Sequence, residues 1–146
     1  MKNTQKITRV QLKISHDEEV VMVGLVSSEP DYKLSLILNK KFRISLKNIS
    51  PITISDADGN ELIFSRFSDA NGTPDVIFNL ISNRSGKNFL LKKLKNIDYI
   101  FQVPGPDREN NIDLLTSTLK EIDSITAVFH INTNTIKDKN LHYLIH

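Results

Sequence analysis

Asp98 and Tyr99 are the residues of this 146-residue chain whose types and placement first suggest chemistry. A carboxylate beside a phenol can hold a ligand by charge and hydrogen bond, or move a proton, provided both reach the same space. They sit in the run Ile97 to Val103, where Ile97, Tyr99, Phe101 and Val103 alternate with Asp98, Ile100 and Gln102. On a strand those two sets face opposite ways. Tyr99 is therefore expected in the core, its hydroxyl partnered near the rim. Asp98 is expected on the other side, either satisfied by a neighbouring turn or lysine or open to a ligand. Arg84 lies in Asn83-Arg84-Ser85-Gly86, whose backbone N–H groups and guanidinium can form an anion nest. The same residues also make a tight turn unaided. His130, directed outward on the run Ile125 to Ile131, can titrate near neutral pH. Asp98, Arg84 and His130 are the candidate small-molecule or enzymatic site, a reading that requires a concave pocket holding at least two of them.

A second constellation is basic. Lys92, Lys93 and Lys95, with Phe89 and Tyr99 nearby, supply point charges and stacking rings suited to a nucleic-acid strand. For that use Lys40, Lys41 and Arg43 have to converge with them on one surface. A solvated loop, or an edge strand blunted by lysines, explains the same residues. The balance of 19 basic against 17 acidic side chains, a net charge of +2, lacks the basic excess typical of nucleic-acid-binding domains.

Other chemistries are excluded or unsupported. With no cysteine the chain has no disulfide, zinc-thiolate site, iron–sulfur cluster or thiol nucleophile. His16, His130, His142 and His146 lack metal-ligand spacing, and Asp56 to Glu61 resembles a calcium loop only until its sixth position, where Glu61 stands for the required glycine. No nucleophile elbow, phosphate-binding loop or dinucleotide fingerprint occurs. No catalytic residue, metal or cofactor is assigned.

The elements that must position these residues read as one domain over 1–146, with 39% hydrophobic and 25% charged residues. Ile7 to Ile14 alternates like a strand and is expected to form a hairpin with the valine-rich run Val20 to Val26, itself suited to burial on both faces. Ser28-Glu29-Pro30-Asp31 signals a helix start, with Ser28 as cap and Leu34, Ile37 and Leu38 as the buried stripe. A meander follows from Ile52, turning at Asp58-Gly59 into Glu61 to Ser68 and at Asn71-Gly72-Thr73-Pro74 into Val76 to Ser82. Pro104-Gly105-Pro106 stops the strand from Ile97, and Asp107 caps a second helix reaching Glu121, with Ile112, Leu115, Leu119 and Ile122 as its stripe. Ile125 to Ile131 returns as a strand with Ile125, Ala127, Phe129 and Ile131 inward, before a tail that is polar until Leu141. The sum is an α+β fold: a largely antiparallel sheet of about seven or eight strands with two helices packed on one face.

Leu91-Lys92-Lys93-Leu94-Lys95-Asn96-Ile97-Asp98-Tyr99 resembles the naming motif of the IPExxxVDY family, small proteins found mainly in Bacteroidetes. Asp98 and Tyr99 fit; Leu91 and Ile97 are apolar replacements, and Lys92 and Lys93 stand where the family has proline and glutamate. Asp31-Tyr32-Lys33-Leu34 leading to Leu38-Asn39, Leu80-Ile81-Ser82-Asn83-Arg84-Ser85, and Lys139-Asn140-Leu141 follow the family pattern in the same order. The resemblance implies kinship and no activity. Without a signal peptide or an apolar stretch long enough to cross a membrane, the chain reads as cytoplasmic. The leading expectation is a non-enzymatic protein-binding or adaptor domain meeting an unknown protein partner. The alternatives are a weak RNA- or DNA-binding module using the lysine cluster, and a small-molecule or enzymatic site around Asp98, Arg84 and His130.

Overall fold

The computed structural model describes residues 20–69, 77–104 and 109–144. Strands β1 (Val20–Ser27), β2 (Lys47–Ser55), β3 (Glu61–Asp69), β4 (Phe78–Ser82), β7 (Tyr99–Pro104) and β8 (Ile125–Ile131) form one sheet in the order β2-β3-β4-β7-β1-β8. Every pairing in it is antiparallel. The short strands β5 (Arg84–Ser85) and β6 (Asn88–Phe89) make a separate hairpin. Helices α1 (Asp31–Phe42) and α2 (Glu109–Lys120) complete the α+β architecture expected from the sequence.

The valine run suits β1 to an interior place, though not the centre of the sheet: it lies one strand in from the β8 edge and is buried on both faces. Val21, Val23 and Leu25 face the helices, where Leu34 and Leu38 of α1 and Leu115 and Leu119 of α2 pack on them with Leu80 and Phe101. Met22 faces the other way, into a core with Ile52, Phe64, Ile81, Ile100 and Ile131. No α-helix covers this second face among the described residues. Its cover is Leu90, Leu91 and Ile97 from the connection between β6 and β7, together with Leu144 and the partly buried Leu141 from the tail. Two 3-10 turns, Thr133–Thr135 and Lys139–Tyr143, shape that tail, each opened by a side chain (Asn132 and Asp138) accepting a backbone N–H. The tail read as largely polar is thus part of a third layer. Gly24 of β1 is where this layer lies flush on the sheet: a Cβ there would collide with the Ile97 side chain, 2.9 Å from Cγ1.

Several expectations need correction. β1 has β7 on one edge and β8 on the other, so both hairpin positions beside it are filled. The segment Ile7 to Ile14 expected to pair with it lies outside the described residues, as do the Asn71–Pro74 turn, the Asp107 cap, Gly105-Pro106, His16 and His146. Helix α1 begins at Asp31 with Pro30 at its N-cap and no side-chain cap, so Ser28 does not cap it. Ile97 does not share a face with Tyr99, because it closes a turn, its N–H donating to Leu94 O, before the strand begins. On β8 a register shift opposite Val26 and Ser27 interrupts the alternation: Ile125 joins the helix-side core, Ile131 the opposite one, and Phe129 is left 42% exposed rather than inward. The meander turn is as read, with Gly59 at φ 86° and Asp56 Oδ1 accepting from the N–H groups of Asp58 and Asn60.

Candidate functional site

Asp98 is the last residue of the β6–β7 connection, where the chain turns into the sheet. Its N–H donates to Leu25 O at 2.9 Å and its C=O accepts from Asn83 N at 2.9 Å. Two positions further along β1 the side chain takes over from the backbone: Oδ2 accepts the Ser27 N–H at 3.0 Å. Oδ1 receives Arg84 Nη2 at 2.8 Å. Arg84 is held from a second side by Phe89, its cross-strand partner in the β5–β6 hairpin, with the guanidinium carbon 5.1 Å from the ring centroid. The Asp98 side chain is mostly buried, whereas that of Arg84 is about half exposed.

Tyr99 follows on the helix side, buried along its ring, and its hydroxyl donates to Glu29 O at 2.6 Å. Ser27 Oγ accepts the Glu29 N–H at 3.2 Å, so both backbone groups of Glu29 are fixed just ahead of α1. Between these elements opens a cleft of about 580 Å³, lined by Ser27, Glu29, Ser82, Arg84, Asp98 and Tyr99 together with Val26, Ser28, Pro30 and Thr126. Asp98 and Tyr99 were expected to face apart; because Asp98 precedes the regular strand, both reach this cleft.

Burial pushes the Tyr99 hydroxyl up to about 12, aided by the negative charges of Asp31, Asp98 and Glu29 and opposed only by Arg84. The folded state therefore holds this proton more tightly than the unfolded chain does. The resulting stability is fully present below pH 10 and is lost as pH rises from about 10 to 12, by about 1.4 kcal/mol per pH unit. Unfolding free energies measured from pH 9 to 12 should fall more steeply for the native protein than for Tyr99→Phe. Parallel curves would show that Tyr99 titrates as it does in the unfolded chain.

Of the site residues read from the sequence, the cleft brings Arg84 and Asp98 together and leaves out His130. That histidine pairs with Val23 on β8 and is exposed; Thr126, near the other end of the same strand, is the residue that reaches the cleft. The basic residues divide. Lys92, Lys93 and Lys95 are exposed on the connection that covers the Ile100 face, while Lys40, Lys41 and Arg43 belong to the end of α1 on the opposite face. Lys41 is engaged with Glu121 at 2.8 Å. No single surface gathers all six.

Sequence reasoning missed Asn83. It is fully buried, and its side chain holds the covering connection: Nδ2 donates to Leu94 O and Ile97 O at 2.9 and 3.0 Å, and Oδ1 accepts Leu91 N at 2.9 Å. Asn140, also buried, reaches the same connection through Leu90 O at 2.8 Å. The segments around Asn83, Asp98 and Asn140 are thereby joined in space. Among the described residues no cluster of three or more His, Asp or Glu side chains suits a metal ion, and no helix is long and apolar enough to cross a membrane. Comparison with protein families and with curated proteins finds no match to this chain.

Proposed function

We propose that this protein is a non-enzymatic, cytoplasmic protein-binding module, akin to the IPExxxVDY proteins, whose recognition site is the cleft beside the Arg84–Asp98 pair. The observation that carries this reading is the cleft itself: about 580 Å³ of concave space at which side chains from β1, the approach to α1, β4, β5 and β7 converge. Its size lies in the ordinary range for ligand sites, roughly 300–1,000 Å³. Two features favour binding over catalysis. Both Asp98 oxygens already accept hydrogen bonds within the fold, and burial pushes the Tyr99 hydroxyl up to about 12, far from neutrality. The division of the lysines between two faces of the sheet weighs against the nucleic-acid alternative.

A photo-reactive amino acid placed at Ser28, an exposed residue that lines the cleft, tests the reading in native cells. The expected result is an adduct with a defined protein that disappears when Thr126→Trp fills the cleft, and that a photo-probe at exposed Leu114 on α2 does not form. Capture from position 28 that is indifferent to Thr126→Trp, or no capture at all, would overturn it.

A further inference from the structure

We infer that the layer covering the second face of the sheet is a docking surface for an acidic, extended stretch of a partner protein. It stands apart from the cleft and does not rest on it. Five lysines, Lys92, Lys93 and Lys95 of the β6–β7 connection and Lys137 and Lys139 of the tail, are exposed on this layer. The two segments that carry them, 90–97 and 132–144, contain a single acidic residue, Asp138. Its oxygens accept backbone N–H groups, Oδ1 that of Asn140 at 2.9 Å and Oδ2 that of Lys92 at 2.8 Å. Among the described residues none of the five ammonium groups has an ion pair or a hydrogen bond. The whole chain carries only +2, so five lysines against one carboxylate exceed its net charge and leave the remainder of the chain net acidic.

The fold itself assembles this charge. Asp138 reaches Lys92 N across 46 positions of sequence, and Asn140 Nδ2 donates to Leu90 O across 50. Beneath the lysines Leu90, Leu91, Ile97 and Leu144 of the same segments are buried in the second core, so each segment is apolar below and cationic above. Like charges drawn together repel one another and raise the local positive potential, which a row of carboxylates complements. The rings favour a protein partner over a nucleic-acid strand, whose bases need aromatic faces to stack on. Phe89 has the Arg84 guanidinium 5.1 Å from its centroid, Tyr143 has the His142 ring 4.1 Å from it between centroids, and Tyr99 is buried on the helix side. Of the rings in this layer the imidazole of His142 alone is exposed among the described residues. The cations are lysines, point charges without the fork that grips phosphate in two places.

Amide NMR of the full chain at about 0.15 M salt, read at Lys92, Lys93, Lys137 and Lys139, tests this with three probes: a short oligo-glutamate peptide, an oligo-deoxythymidine strand, and phosphatidylcholine vesicles containing phosphatidylserine. The peptide should give saturable shifts at those amides and bind more tightly than either other probe. Lys92→Gln, Lys93→Gln and Lys137→Gln together should weaken it at least about fivefold. Lys40→Gln, Lys47→Gln and Lys120→Gln, which remove the same charge from elsewhere on the surface, should change it by less than about twofold. All six side chains are exposed and make no ion pair, so both sets should fold, and native amide spectra check that; the single substitutions stand in for either set whose spectrum is not native. No saturable response to the peptide, indifference to the first set, or equal weakening by the two sets overturns the inference. Binding of the deoxythymidine strand or of the vesicles at these amides as tightly as the peptide, or more so, overturns the acidic protein partner and assigns the layer to nucleic acid or to an anionic membrane.

Discussion

Asn83→Ala should lower the unfolding free energy by about 3–6 kcal/mol, because one fully buried side chain satisfies three backbone groups of the connection it holds. Each buried group left without a partner costs about 1–3 kcal/mol, and the truncation strands Leu91 N–H, Leu94 O and Ile97 O together. The loss should appear in urea titrations as a lower midpoint with little change in slope. Asn83→Asp sharpens the test. It keeps an acceptor for Leu91 N but turns an oxygen toward two carbonyls, so it should be at least as damaging as alanine despite its shape. If either variant loses less than about 1 kcal/mol, the connection is held by its leucines and not by the asparagine.

Phe101→Ala should cost about 3–5 kcal/mol, the usual range for emptying an aromatic site in a core that cannot collapse. The ring is fully buried in the middle of β7, with Phe42 of α1 at 5.7 Å and Phe78 of β4 at 6.2 Å between centroids. It therefore ties helix to sheet and one strand to another, and aromatic pairs add about 0.5–1.5 kcal/mol each beyond area. Phe101→Leu keeps most of the volume but loses both ring pairs, and should recover more than half of the loss. Equal destabilisation by leucine and alanine would mean that ring geometry, not volume, is what the site requires. Against the 5–15 kcal/mol typical of whole domains, either alanine variant removes a large share of the stability.

What could be read in advance was whatever has a local signature. The valine-rich apolar run announced β1 as a strand buried on both faces, the Leu115 and Leu119 stripe announced α2, and Asp58-Gly59 announced the meander turn. Three things have no local signature. The connection from Leu90 to Asp98 has no repeating pattern, so nothing marked it as the lid of the second core or placed Asp98 at the end of a ladder. The shift opposite Val26 and Ser27 comes from pairing and not from the residues of β8 alone, which is why Phe129 was assigned to the wrong side. The strand order puts β1 between β7 and β8, a long-range choice that local alternation does not encode.

The candidate site was half legible. Arg84 and Asp98 were singled out separately, one as a turn residue and one as a strand residue, but their ion pair joins positions in different elements and has no local signature. Ser27 and Glu29 carry no such signature, because the run before α1 signals only a helix start. Asn83 was counted as a turn former, although a buried asparagine beside a turn is better placed than an arginine to satisfy an irregular connection.

The place of β1 between β7 and β8 also sets an order in time. Its neighbours belong to the far part of the chain: Met22 touches Gln102 across 80 positions, and Val26 meets Thr126 across 100. The meander β2-β3-β4, built from local pairings, can assemble as soon as it is made, whereas the most apolar strand has to wait for the last two strands to be synthesised. During that interval an uncharged valine-rich segment stands without its partners, the kind of exposure that invites aggregation. The sheet thus closes from the β2 edge across toward β8, and β1, the first made of the described strands, is among the last secured.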